Sequence, residues 1–128
     1  MATKSVQRSL ALIREQGGLP WVVEHWNQFA RKRQDLFNII DILVIVDKSI
    51  LGVQCCGMDF SSHDQKILES EYSLPWLEAG GRLELWGWRK LKKVRGKKAT
   101  EWKMRLKVYS KEDFNGKKKT EEKAPSRP

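Results

Sequence analysis

Within Phe37–Gly57, FNIIDILVIVDKSILGVQCCG, two apolar runs face each other across the polar break Asp47-Lys48-Ser49. Each carries one polar residue that looks buried, Asp41 inside the first and Gln54 inside the second. Segments this rich in Ile, Val and Leu, with no polar alternation, read as central strands covered on both faces. If Asp47-Lys48 is a two-residue hairpin turn, opposed residues have positions that sum to about 95. That register sets Asp41 across from Gln54 on one face, close enough to share a ligand. A loop one residue longer or shorter would undo the pairing.

The remaining pattern predicts the elements around this hairpin. Val6, Leu10 and Ile13 recur at helical spacing over Ser5–Gln16, which Gly17-Gly18 ends. Trp21–Asn27 reads as one strand with Glu24 on the side of Val22 and Trp26, and Phe29–Gln34 as a basic connection. Ser62 with Gln65 has the spacing of a capping box for a helix running toward Glu71, with Ile67 and Leu68 on its apolar side. Pro75 interrupts that helix, and Trp76–Ala79 adds a turn before Gly80-Gly81. Arg82–Lys90 alternates as a strand, Leu83 and Leu85 against Glu84, Trp86 and Trp88. In Glu101–Tyr109 the alternation is cleanest, with Trp102, Met104, Leu106 and Val108 expected inward and Lys103, Arg105 and Lys107 outward. The expected architecture is a mixed α/β layer in the order α-β-β-β-α-β-β, a small sheet flanked by helices. It occupies residues 1–109, and 110–128 reads as a basic, disordered tail.

Composition changes this picture in one respect. A chain of 128 residues with 40% apolar content forms one ordinary domain with a single core. No apolar run approaches the roughly 20 residues that cross a bilayer, so no membrane partner is expected. The N-terminus has no signal-peptide core, and the adjacent Cys55 and Cys56 are no disulfide framework; the expected compartment is the reducing cytoplasm. The charge, however, is concentrated. Of a net +9, all the excess lies between Arg89 and Lys107, where ten basic residues face the single acid Glu101. Such a patch is the footprint of a polyanion partner, most often nucleic acid, although a solubilising loop has the same composition.

Asp41 is the residue with chemistry to explain. A carboxylate in an apolar strand needs a cation, a metal or strong donors nearby. Together with Gln54, and with Glu24 on a strand expected nearby, it forms an oxygen-rich cluster of the kind that Mg²⁺ selects. A hydrogen-bonded Asp41–Gln54 pair at the rim of the sheet is the alternative. His25 and His63 are too isolated for a zinc site, and the two cysteines read as small core residues. Most of the six tryptophans are expected in the core, and Trp86 or Trp88, beside the basic hairpin, could stack on a base or pack against a helix.

The segments Asp35-Leu36-Phe37-Asn38-Ile39-Ile40-Asp41 and Leu51-Gly52-Val53-Gln54-Cys55-Cys56, followed by Gly87-Trp88-Arg89-Lys90, resemble the PD-(D/E)XK, or restriction-endonuclease-like, nuclease superfamily. The likeness spans roughly residues 5–109 and is nearest to small phage-like and Holliday-junction-resolvase-like members. It implies a restriction-endonuclease-like core and a metal-dependent endonuclease acting on DNA, with Mg²⁺ or Mn²⁺ as cofactor and a homodimer as the assembly. On this resemblance Asp41, Gln54 and the backbone carbonyl of Cys55 hold the metal. The family lysine belongs at Cys56 and is absent; Lys66 of the following helix is the candidate substitute. Gln7 stands where resolvase-like members carry a first-helix glutamate, and Glu24 could restore a carboxylate. Arg31, Lys32, Arg33, Arg89, Lys90, Lys103, Arg105 and Lys107 are the expected contacts to the nucleic-acid backbone. The alternatives are a catalytically inactive nucleic-acid-binding protein of the same fold and a basic RNA-binding structural protein, the latter leaving Asp41 unexplained.

Overall fold

The structure is a computed structural model that describes residues 3–114. Asp47 and Lys48 both adopt left-handed backbone conformations, φ 51° and 59°, the signature of the tight hairpin turn whose twist matches that of its strands. This turn joins β4 (Ile42–Val46) to β5 (Ser49–Cys56) with Ile42 opposite Val53 and Val46 opposite Ser49, the register predicted from the spacing. Around the hairpin the sheet is mixed and five-stranded, in the order β1 (Leu19–Val22), β4, β5, β6 (Arg82–Lys92), β7 (Thr100–Tyr109). The β5–β6 pair is parallel and the other pairs are antiparallel.

The alternating side chains of β4, β5 and β6 are apolar on both faces, so both faces are covered. On one face α1 (Lys4–Glu15) buries Val6 and Ile13 against Ile42, Val44, Val53 and Trp86. On the other, α2 (Phe60–Glu69) and α3 (Ser73–Glu78) pack Phe60, Ile67, Leu74 and Leu77 onto Leu83 and Leu85. Among the described residues no helix is long and apolar enough to cross a membrane.

Several expectations are corrected. Trp21–Asn27 is two strands, because Asp41 O accepts hydrogen bonds from both Val23 N (2.9 Å) and Glu24 N (3.3 Å) and so breaks the strand there. The second piece, β2 (His25–Asn27), pairs instead with β3 (Lys32–Gln34), so the basic connection is partly a hairpin, tied at its tip by Asn27 Oδ1 accepting from Phe29 N and Ala30 N. Helix α2 starts two residues before the proposed capping box, at Phe60, and Gln65 bonds forward to Glu69. Pro75 lies in the first turn of α3, where its missing N–H costs no intrahelical bond. The apolar side of β7 is covered only in part: Met104 packs against the core and Arg8 of α1 lies over the Trp102 ring at 3.5 Å, but Trp102 stays half exposed and Leu106 and Val108 are exposed. Trp21 and Trp26 are also exposed, so fewer tryptophans lie in the core than expected. Of the expected tail, residues Lys111–Phe114 form a 3-10 turn whose Phe114 is buried in the core; 115–128 lie outside the described residues.

Gly52 seats the segment before Asp41. A Cβ there would stand 2.6 Å from Ile40 Cδ1 and 2.8 Å from Ile40 Cγ1. Gly52→Ala is therefore expected to destabilise by about 1–3 kcal/mol through overpacking, read as a lower urea midpoint. Lys48→Gly relieves about 1–2 kcal/mol of left-handed strain against about 0.5–1 kcal/mol of added backbone entropy and is expected to raise the midpoint; a fall in the midpoint would contradict the turn assignment.

Candidate metal centre

Asp41 immediately precedes β4 rather than lying within it, and its backbone N–H donates to Val53 O at 2.9 Å. The side chain is thereby aimed at the end of β5. Its Oδ2 accepts from Gln54 Nε2 at 2.7 Å and from Cys55 N at 2.8 Å. Asp41 is 5% exposed and Gln54 1%. Both line a cleft of about 360 Å³ whose walls include Glu24, Asp35, Gly57, His63 and Lys66.

Two further carboxylates enter for backbone reasons. Glu24 arrives because its own N–H and that of Val23 share the Asp41 carbonyl. Asp35 arrives because the chain doubles back between Leu36 and Ile40, which bond each other in both directions at 2.9 and 3.0 Å. Phe37 and Asn38 take left-handed φ values of 52° and 62° in that loop. Carboxylate oxygens of Glu24, Asp35 and Asp41 lie within 4.8 Å of one another. Gln54 Nε2 bridges two of them, reaching Asp35 Oδ2 at 3.1 Å as well as Asp41.

Charge compensation in the cluster is incomplete. Lys66 Nζ pairs with Asp35 Oδ2 at 3.2 Å and Arg33 Nη1 with Glu24 Oε1 at 3.1 Å. Asp41 has no cationic partner among the described residues. Burial, followed by the negative charge of Asp35, pushes its carboxyl up to about 8 despite the Cys55 N–H, and Glu24 adds to the rise. Gln54 Oε1 is buried with no hydrogen-bond partner. Turning that amide by 180° would set Oε1 among the carboxylates, which is repulsive unless a cation lies between them. Three converging carboxylates, an unpartnered amide oxygen and a deficit of positive charge fit a hard divalent cation. In a strand, a residue's N–H and C=O leave by the same edge; the Cys55 carbonyl therefore shares the edge from which Cys55 N–H reaches Asp41.

The structure brings Asp41, Gln54, Cys55, Glu24 and Lys66 together in one cleft. Gln7 is exposed and does not line it; Thr3, Ser5 and Val6 do so from α1. The sequence assigns Asp35 no role, since its approach depends on left-handed Phe37 and Asn38, and a bulky phenylalanine rarely adopts that conformation. The basic residues separate into groups. Lys107 is engaged with Asp64 at 2.7 Å, Lys103 with Glu101 at 3.3 Å, and Arg105 lies over the Phe60 ring at 4.1 Å. Arg89 and Arg105 flank a small groove that shares Gly57 with the acidic cleft, and Lys90, Arg31 and Lys32 are exposed. Trp86 is buried and presents no stacking surface, whereas Trp88 is half-buried, with its Nε1 donating to Ser9 Oγ at 2.8 Å. Cys55 and Cys56 are buried free thiols; burial and then the neighbouring Asp59 push Cys56 up to about 12.

Comparison with known protein families, with curated proteins and with solved structures finds no match to this chain.

The elevated Asp41 carboxyl has a consequence for stability. As pH rises above the ordinary value of 3.8, the unfolded chain loses this proton while the folded chain retains it up to about 8. The contribution of Asp41 is thus fully present at low pH and declines across that window. Asp41→Asn, which keeps an acceptor for Gln54 and Cys55, is expected to flatten the fall in urea midpoint between pH 5 and pH 8. Parallel pH profiles for variant and wild type would contradict the assignment.

Proposed function

We propose that the chain is a divalent-cation-dependent DNA endonuclease with a restriction-endonuclease-like core. The observation that carries this reading is the convergence of Glu24, Asp35 and Asp41 on Gln54 in a cleft that shares Gly57 with a groove flanked by Arg89 and Arg105. A negative cluster repels a polyanion, whereas the same cluster holding Mg²⁺ or Mn²⁺ attracts it. The mixed sheet, with its antiparallel β4–β5 hairpin followed by parallel β6, supports the fold part of the proposal.

In this reading Asp41 and Asp35, with Glu24 and the oxygen of Gln54, hold the cation, and the Cys55 N–H keeps Asp41 oriented. When bound, the ion would stabilise charge on the phosphate under attack and lower the pKa of the attacking water. Lys66, within reach of Asp35, orients that water or balances charge in the position that the family lysine would fill from Cys56. Arg89, Lys90, Arg31 and Lys32 contact the phosphate backbone, contributing affinity without sequence preference.

A second reading, nucleic-acid binding without cleavage, draws on one specific feature. Lys66 and Arg33 already neutralise Asp35 and Glu24, and Gln54 donates to the carboxylates, so the cluster can stand without an ion.

Incubation with linear, branched and single-stranded DNA in Mg²⁺ or Mn²⁺ separates the two. The expected result is cleavage that is lost in chelator and reduced roughly 100-fold or more in Asp41→Asn. Binding by wild type without cleavage under every condition would sink the enzyme reading. In chelator, Arg89→Gln with Lys90→Gln is expected to weaken DNA binding and lower the log–log salt slope by up to about 2. An unchanged slope would remove this end of β6 from the interface.

A further inference from the structure

The loop that carries Asp35 toward the cleft also displays an aromatic pair. Phe37 is held at φ 52°, a conformation that is an outlier for a bulky residue, and it nevertheless remains 46% exposed. Its ring stacks on Tyr72, 43% exposed, with centroids 5.3 Å apart and planes 29° from parallel. The pair opens onto a groove of about 450 Å³ lined also by His25, Lys32, Arg33 and Asp35. Asp35 lines both this groove and the acidic cleft, so the two adjoin.

We propose that this groove binds an unpaired nucleotide, whose base extends the Phe37–Tyr72 stack while its phosphate lies against Lys32, with Arg33 kept on Glu24; the assignment of DNA as the polymer rests on the function proposed above. A packing role alone does not account for the arrangement. Tertiary strain of this kind persists where the surroundings enforce it and concentrates at ligand sites. A ring needed only to fill the core would not be left half exposed on a left-handed residue. Lys32 on the rim complements a phosphate, while the aromatic floor is uncharged and planar. Base faces inside a duplex are already stacked on their neighbours. An aromatic shelf therefore selects single-stranded ends, gaps or flaps, and it tolerates any base because every base has a π face. The position of the groove puts that unpaired nucleotide next to the acidic cleft, which makes a junction between duplex and single strand the substrate class.

The test uses the full chain in chelator, so that binding is read without cleavage. Anisotropy is recorded for a labelled duplex and for the same duplex bearing a five-nucleotide overhang with 2-aminopurine at its first unpaired position. Wild type is expected to prefer the overhang by roughly tenfold, with 2-aminopurine fluorescence quenched on binding. Phe37→Gly, which suits the left-handed backbone while removing the ring, and Tyr72→Ala should each abolish most of the preference and the quenching. Both variants should leave duplex affinity unchanged, and Tyr72→Phe should retain the wild-type behaviour. Equal affinity for the two DNAs, a preference that survives both ring deletions, or failure to bind either DNA would overturn the proposal. Cleavage in Mg²⁺ is scored separately: a preference without cutting would defeat the enzyme reading alone, and cutting without a preference would defeat this inference alone.

Discussion

The two hydrogen bonds that Asp41 Oδ2 receives from Gln54 Nε2 and Cys55 N tie the residue before β4 to the end of β5. The backbone of the same residue fastens β5 through Val53 and breaks the β1–β2 segment through Val23 and Glu24. Removing a carboxylate from water is expensive, and two neutral donors offset only part of that cost. The surroundings then add negative charge, from Asp35 and Glu24, where a purely structural solution would add a cation. Lys66 and Arg33 are each directed to one of those neighbours, and Asp41 is left uncompensated. An arrangement that keeps a buried carboxyl poised in this way exchanges stability for an ability to take up positive charge, whether a proton or a metal ion.

The charge layout of the whole chain is consistent with that local argument. An acidic pocket sits within a protein of net charge +9, and its neighbours are Arg89 of β6 and Arg105 of β7. Parts of the basic segment serve the fold: Lys107 anchors β7 to Asp64 on α2, and Arg105 covers Phe60. The residues left for a polyanion are thus fewer than the sequence count, and they lie at the rim of the cleft and on the β2–β3 hairpin.

Much of the site could be read from the sequence because it follows from strand geometry. A two-residue turn fixes register without ambiguity, so the opposition of Asp41 and Gln54 follows from counting, as do the two buried faces of β5 and β6. Lys66 was within reach because it lies two turns into a helix that begins just after β5. What was hidden depends on tertiary or non-regular backbone. Asp35 returns to the cleft only through left-handed Phe37 and Asn38; asparagine tolerates that conformation, but nothing in the sequence signals it for phenylalanine. The strand break at Val23 is imposed by the carbonyl of a residue eighteen positions later. The clean alternation of β7 predicted burial, yet an edge strand shows the same pattern when a helix covers only part of it. Phe114 lies beyond the last periodic segment, where a lone aromatic carries no pattern to place it in the core.

The central claim is that the Glu24–Asp35–Asp41 cluster is built to receive a divalent cation, and direct titration with Mn²⁺ followed by electron paramagnetic resonance tests it without reference to any substrate. The account predicts one bound ion per chain with an affinity in roughly the millimolar range or tighter, weakened at least about tenfold in Asp41→Asn and again in Asp35→Asn. Absence of binding to wild type, or binding that both substitutions leave intact, would contradict it.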